Sequence, residues 1–198
     1  MSLANHKITT VQPASITRLP RHFYNRETAI VARDLLGKLL VHRVGDEERI
    51  ARIVEVEAYI GPHDLAAHTS KGITPRTRAM FGPPGHAYVY LIYGMHHCMN
   101  IVTEPEGHGS GVLLRALEPV LNITGNTRGP GLLCKAMGIT KQDYGRDLCS
   151  DDLYVAEPAV KEHFAIAQRP RIGVDYAGEW ALKPLRFYIE GNKYVSRK

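Results

Sequence analysis

The sequence is poor in the features that staple or anchor a chain. Only three cysteines occur in 198 residues, Cys98, Cys134 and Cys149, and no two of them stand in a C-x-x-C spacing. An odd number without that spacing excludes a disulfide framework or a zinc ribbon as the organising device and fits a reducing, intracellular compartment. No apolar run reaches the roughly 20 residues that a transmembrane helix needs. The opening stretch, MSLANHKITTVQPASITRLP, holds no uninterrupted apolar segment suited to a signal peptide. The expected location is the cytoplasm, with no membrane partner. Internal repeats and low-complexity segments are also missing, which excludes solenoids and flexible arrays. Charged residues make up 23% against 44% hydrophobic, which excludes a disordered chain.

What remains is a length at which one domain buries a core unaided. Net charge is +5, and residues 1–43 hold seven Lys or Arg against two Asp or Glu, so the whole excess lies there. A basic arm suits phosphates, although modest positive charge alone is common in proteins that touch no nucleic acid.

Periodicity and turn residues predict the elements. Asn25 as N-cap, the apolar set Ile30, Val31, Leu35 and Leu36, and the stop Gly37 predict one helix. KLLVHRV and RIARIVEVEAYI flank Gly45-Asp46-Glu47-Glu48 and predict a β-hairpin. In its second strand Glu55, Glu57 and Tyr59 share one face, opposite Val54, Val56 and Ala58. Residues 69–86 are rich in Gly and Pro and read as loop. HAYVYLIY and MHHCMNIVT predict a second hairpin around Tyr93-Gly94, and GVLLRAL a strand in which Arg115 needs a partner. Gly129-Pro130 opens a short helix that ends at Gly138, and RIGVDYAGEWALKPLRFYIEGNKYVS reads as two strands joined by a polar bend. The expected fold class is α+β: a single compact domain over residues 21–198, a largely antiparallel mixed β-sheet with flanking helices and a protruding β-hairpin. Residues 1–20 are expected as a loosely ordered lead-in.

Two segments carry chemistry. EVEAYIGPHDLAAH places Glu55, Glu57, His63, Asp64 and His68 within fourteen residues. That density suits a catalytic site, a solvated ion-pair cluster, or a metallohydrolase built on His63, Asp64 and His68, the last against the spacing that helical zinc sites use. HAYVYLIYGMHHCMN gathers Tyr88, Tyr90 and Tyr93. They fit either a sheet core or a stacking platform with a wedge at the hairpin tip. His96 and His97 point to opposite faces of a strand and do not make a metal site together.

The stretches VEAYIGPHDLAAH, TPRTRAMFGPPGHAYVYLIYGMHHCMNIVT, GVLLRALEP and RIGVDYAGEWALKPLRFYI, taken in order, resemble the alkyladenine (3-methyladenine) DNA glycosylase family from about residue 20 to the end. The resemblance implies that Glu57 is the general base that activates water. Arg115 and the backbone of Val174 would hold that water. Tyr59, His68 and Tyr90 would stack on and hydrogen-bond a flipped base, Asn100 would exclude guanine, and Tyr93 would fill the vacated space in the duplex. Arg76 and Arg78 are further candidates for the DNA backbone. The implied partner is double-stranded DNA containing damaged purines, bound by a monomer, with no metal and no cofactor. One departure is visible: where many relatives read G-P-G-K-L, this chain has Gly131-Leu132-Leu133, and a basic side chain is missing from the start of that helix. Strand geometry agrees with the implied roles, because Glu57 and Tyr59 lie on one face about 7 Å apart. The rival class is a non-catalytic domain that binds distorted nucleic acid with the same aromatics.

Overall fold

The computed structural model describes residues 16–150 and 152–198. In chain order the elements are β1 (Thr17–Arg18), α1 (Arg21–Tyr24), α2 (Thr28–Leu35), β2 (Leu39–Val44), β3 (Glu47–Tyr59), β4 (Ala87–Ile92), β5 (His96–Thr103), β6 (Ser110–Leu121), α3 (Pro130–Met137), β7 (Leu153–Glu157), β8 (Ile166–Arg169), α4 (Glu179–Leu182) and β9 (Arg186–Ile189). Among the described residues nine strands form one sheet in the order β1-β7-β2-β3-β6-β5-β4, with β9 paired to β3 and β8 to β9. Every pairing is antiparallel. Few and short helices beside a large antiparallel sheet make an α+β fold.

The long strand β3 organises the sheet. Its first half pairs with β2 across a two-residue turn, Gly45-Asp46, in which Gly45 supplies the positive φ of +62° that such turns require. Its second half leaves β2 behind and pairs with β9, while β6 runs along its other edge. Glu55, Val56 and Glu57 therefore have strands on both sides, which places two carboxylates in the middle of the sheet. Val54, Val56 and Ala58 join Val31 and Leu35 of α2 and Leu133 and Met137 of α3 in the main core.

Three sequence expectations are corrected. The helix expected to start at Asn25 is two helices, with Asn25 closing α1. The start of α2 is capped from far away: the Thr28 amide and hydroxyl donate to Glu104 at 3.1 and 2.5 Å, a partner that no local pattern reveals. The C-terminal stretch is not two strands. Residues 171–174 are loop, Asp175–Ala177 is a 3₁₀ turn, α4 follows, and only β9 is extended. Pro170 ends β8, and Gly173 and Gly178 at φ +75° and +58° turn the chain away from strand geometry. Besides β3, the strand that pairs with β9 is β8, upstream of the expected segment. Of the lead-in, residues 1–15 lie outside the described residues, whereas Thr17 and Arg18 pair with Glu157 and Ala156.

Candidate active site

Arg115 is aimed by an irregularity in the sheet. In the β3–β6 register Glu55 faces Ala116 and Val56 faces Leu114, so Arg115 has no opposite number on β3. A residue left over in this way is a β-bulge, which re-aims its side chain. Here the guanidinium lies between two fully buried carboxylates, with Nε 3.2 Å from Glu55 Oε1 and Nη1 3.4 Å from Glu57 Oε1. The partner that a strand arginine requires is thus a pair of glutamates.

Glu57 is held by three groups. The Ile172 backbone amide donates to Oε1 at 2.7 Å, the Tyr59 hydroxyl donates to Oε2 at 2.9 Å, and Arg115 supplies charge. Burial nevertheless dominates and pushes the Glu57 carboxyl above its ordinary value, against the pull of Arg115, the Ile172 amide and the Tyr59 hydroxyl and with a push from Glu55. A carboxylate made more basic by burial and kept ordered by donors suits proton abstraction.

Above this pair lies a cleft of about 370 Å³ lined by Tyr59, His68, Tyr90, Asn100, Arg115 and Val174, among others. Tyr88 and Tyr90, two residues apart on β4, stack with ring centroids 5.2 Å apart, and His68 meets Tyr90 edge-on at 4.6 Å. The His68 Nδ1 lies 2.9 Å from the Tyr88 hydroxyl. Burial and the nearby Arg76 hold the His68 pKa down at about 4, so the ring is neutral at physiological pH. Asn100 is buried at the cleft wall, and its side-chain amide makes no hydrogen bond among the described residues.

At the rim stands the β4–β5 hairpin tip. Met95 N–H bonds to Ile92 C=O, and both residues between them have positive φ, Tyr93 at +51° and Gly94 at +71°. A tyrosine in left-handed backbone costs about 1–2 kcal/mol. Its side chain gains no burial in return, being 90% exposed. Arg76 and Arg78 are exposed, and the Arg76 guanidinium lies 5.3 Å over the Tyr90 ring, on the same side as the cleft.

The structure thus brings Arg115, Val174, Tyr59, His68, Tyr90 and Asn100 to one cleft, with Tyr93 at its rim, leaves Arg78 outside the cleft lining, and places Glu57 fully buried behind that lining, in contact with its members Tyr59, Ile172 and Arg115. Val174 is buried against Ala66 and Ala177. The amide that reaches Glu57 belongs to Ile172, two residues before it, and sequence reasoning missed it because backbone donors leave no residue signature. The metallohydrolase set does not assemble. Asp64 gives both oxygens to Arg171 at 2.5 and 2.8 Å, His63 packs against Trp180, and His68 faces Tyr88. Among the described residues no three His, Cys, Asp or Glu side chains cluster to hold a metal. Cys98, Cys134 and Cys149 are free thiols, and among the described residues no helix is long and apolar enough to cross a membrane. A solvated ion-pair cluster is likewise overturned, since Glu55, Glu57 and Asp64 are all fully buried.

Fold and site together define an antiparallel α+β domain with an aromatic cleft set over a buried, arginine-paired carboxylate. The chain belongs to the methylpurine-DNA glycosylase family, whose model matches residues 22–193. It is 62% identical over 180 residues to a Legionella pneumophila (strain Corby) protein named "Putative 3-methyladenine DNA glycosylase", covering 91% of this chain and 98% of that one. Proteins of the same name from Anaeromyxobacter sp. (strain Fw109-5) and Myxococcus xanthus (strain DK1622) are 58% and 53% identical, covering 91% and 90% of this chain and 93% of each relative.

Proposed function

We propose that this chain is a monofunctional DNA glycosylase that hydrolyses the N-glycosidic bond of alkylated or deaminated purines, of the 3-methyladenine, 7-methylguanine and hypoxanthine class. The damaged nucleotide rotates out of the duplex into the cleft. Glu57 takes a proton from a water that Arg115 and the Val174 backbone hold. The resulting hydroxide adds to C1′ as the purine departs with the bonding electrons, and until the proton is transferred the Glu57 carboxylate stabilises the oxocarbenium-like charge on the sugar. Tyr59 and Tyr90 present electron-rich faces to a cationic alkylated purine, with neutral His68 as hydrogen-bonding partner. Asn100, the unpartnered amide at the wall, excludes guanine through its exocyclic amino group. Tyr93 enters the stack in place of the extruded base, and Arg76 and Arg78 meet phosphates.

One observation carries this reading over a purely nucleic-acid-binding role: the fully buried Glu57, raised in basicity and ordered by Tyr59, Ile172 and Arg115 directly beneath the aromatic cleft. Stacking on unpaired bases requires aromatics and cations but no buried base. The test is incubation with methylated duplex containing 7-methylguanine, with and without EDTA, followed by chromatography for free base. Metal-independent release of 7-methylguanine supports the proposal, and binding without release supports the non-catalytic alternative.

A further inference from the structure

The sheet face that carries Glu57 holds a second fully buried carboxylate to which this chemistry assigns no task. Glu55 Oε1 accepts from Arg115 Nε at 3.2 Å and from Arg186 Nη1 at 3.0 Å, and its Oε2 accepts from the Ser196 backbone amide at 2.6 Å. Arg186 Nη1 also donates to the Arg197 carbonyl at 2.7 Å. Between these contacts Val195 packs with Ala167 and Tyr188 in a small apolar cluster, which anchors the segment. Residues 195–197 lie beyond the stretch that the family model matches.

The contacts of Arg115 are unequal. It hydrogen-bonds Glu55 through Nε, whereas its Nη1 stands 3.4 Å from Glu57, an ion pair at longer range. An arginine free to choose its geometry closes on a carboxylate through two parallel bonds of about 2.7–2.9 Å. Closure of that kind on Glu57 would engage the oxygen needed for water and make the carboxyl less basic. We infer that Glu55, itself fixed by Arg186 and by the backbone of Ser196, is a positioning residue that holds Arg115 by its Nε edge and keeps it from closing on Glu57. The inference rests on the proposed role of Glu57. The charge of Glu55 acts in the same direction, because it adds to the push that raises the Glu57 carboxyl.

The groups around Glu57 narrow the source of any pH effect. Arg115 faces it from β6, Glu55 and Tyr59 from β3, Arg186 from its register position on β9, Tyr90 from β4 and Tyr176 from beyond the 171–174 loop. Arg115 is held above its ordinary value by Glu57 and Glu55 against the pull of burial and stays cationic, and burial raises all three tyrosines above their ordinary value, so they remain neutral. Glu55 is therefore the removable charge.

The test compares single-turnover release of 7-methylguanine from methylated duplex, as a function of pH, for wild type, Glu55→Gln, Ser196→Pro and the double variant. Ser196→Pro deletes the amide donor to Glu55, together with the hydroxyl that accepts from Arg115 Nη2 at 3.5 Å, and leaves the Glu55 charge. In Glu55→Gln the plateau rate falls about 10- to 100-fold, the loss expected of a misplaced catalytic partner. The acid limb moves to lower pH by about one unit, the size expected when a neighbouring charge is removed. Ser196→Pro lowers the plateau less, and the double variant loses no more than Glu55→Gln, since both act through Arg115. A structural role alone would lower melting temperature without moving the acid limb. If Glu55→Gln does not fold, Ser196→Pro against wild type carries the comparison. A folded Glu55→Gln with the wild-type profile, beside an inactive Glu57→Gln, overturns the positioning role alone. Wild-type release by Glu57→Gln overturns the assignment of Glu57, and the positioning role with it.

Discussion

At the residue scale, the site is a set of buried charges whose cost is offset by few partners. Glu57 is the clearest case, since burial outweighs an arginine, an amide and a hydroxyl in setting its basicity. A carboxyl raised in the folded state binds protons that the unfolded chain has already lost. Its stabilising contribution is complete below the ordinary value of 4.5 and disappears as pH rises through the raised one. Glu57→Gln removes that loss. Its melting temperature relative to wild type should rise steadily from pH 4.5 upward until Glu57 is ionised, with each unit of raised pKa worth about 1.4 kcal/mol. Calorimetry across that range checks the sign, and a difference that shrinks with pH would refute it. His68 runs the other way. Its pKa of about 4 means that the neutral ring adds stability above the ordinary 6.5, lost as pH falls toward 4. It does not account for an acid limb of activity near neutrality.

At the element scale, the β4–β5 hairpin and the bulged β3–β6 pair have separate tasks. The hairpin accepts a tyrosine in left-handed backbone and leaves it exposed, a pattern of strain that accompanies function. Asparagine tolerates that backbone better. Tyr93→Asn should therefore keep or slightly raise the melting temperature while weakening binding to lesion duplex at least about tenfold more than to lesion single strand, which has no stack to hold open. Equal losses on both substrates, measured by anisotropy, would assign Tyr93 a structural role instead. The hairpin was legible in the sequence because alternation and Tyr-Gly punctuation are local signals. The shared face of Glu55, Glu57 and Tyr59 followed from the period of a strand. The bulge that aims Arg115 was not legible, since leftover register depends on how two distant strands meet. The capping of α2 by Glu104 was hidden for the same reason, and so was the strand identity of β8, only four residues long.

At the scale of the whole molecule, two chain segments far apart in sequence close around one cleft. The loop after β3 carries Asp64, and the loop after β8 carries Arg171, and their two-pronged ion pair is buried. Next to Arg171 lies Ile172, whose amide holds Glu57. The pair therefore ties the cleft wall to Glu57. Asp64→Asn leaves a buried guanidinium uncompensated and should cost about 3–5 kcal/mol of stability. Below its melting temperature it should still slow base release, because the Ile172 amide is no longer fixed. A variant with wild-type melting and wild-type release would show that the loops hold their places without the pair. Sequence density pointed to Asp64 as chemistry, whereas the fold makes it structural, because the partner that decides the matter lies 107 positions away.

The central claim is that Glu57 activates the water that cleaves the glycosidic bond. Glu57→Gln keeps the shape of the side chain and removes both proton acceptor and charge. The direct measurement is single-turnover release of 7-methylguanine from methylated duplex, with lesion affinity recorded in parallel. General-base catalysis contributes about 100- to 10,000-fold, so the variant should bind the lesion as wild type does and release base at least about 100-fold more slowly. Release within a few-fold of wild type from a variant that binds normally would contradict the account.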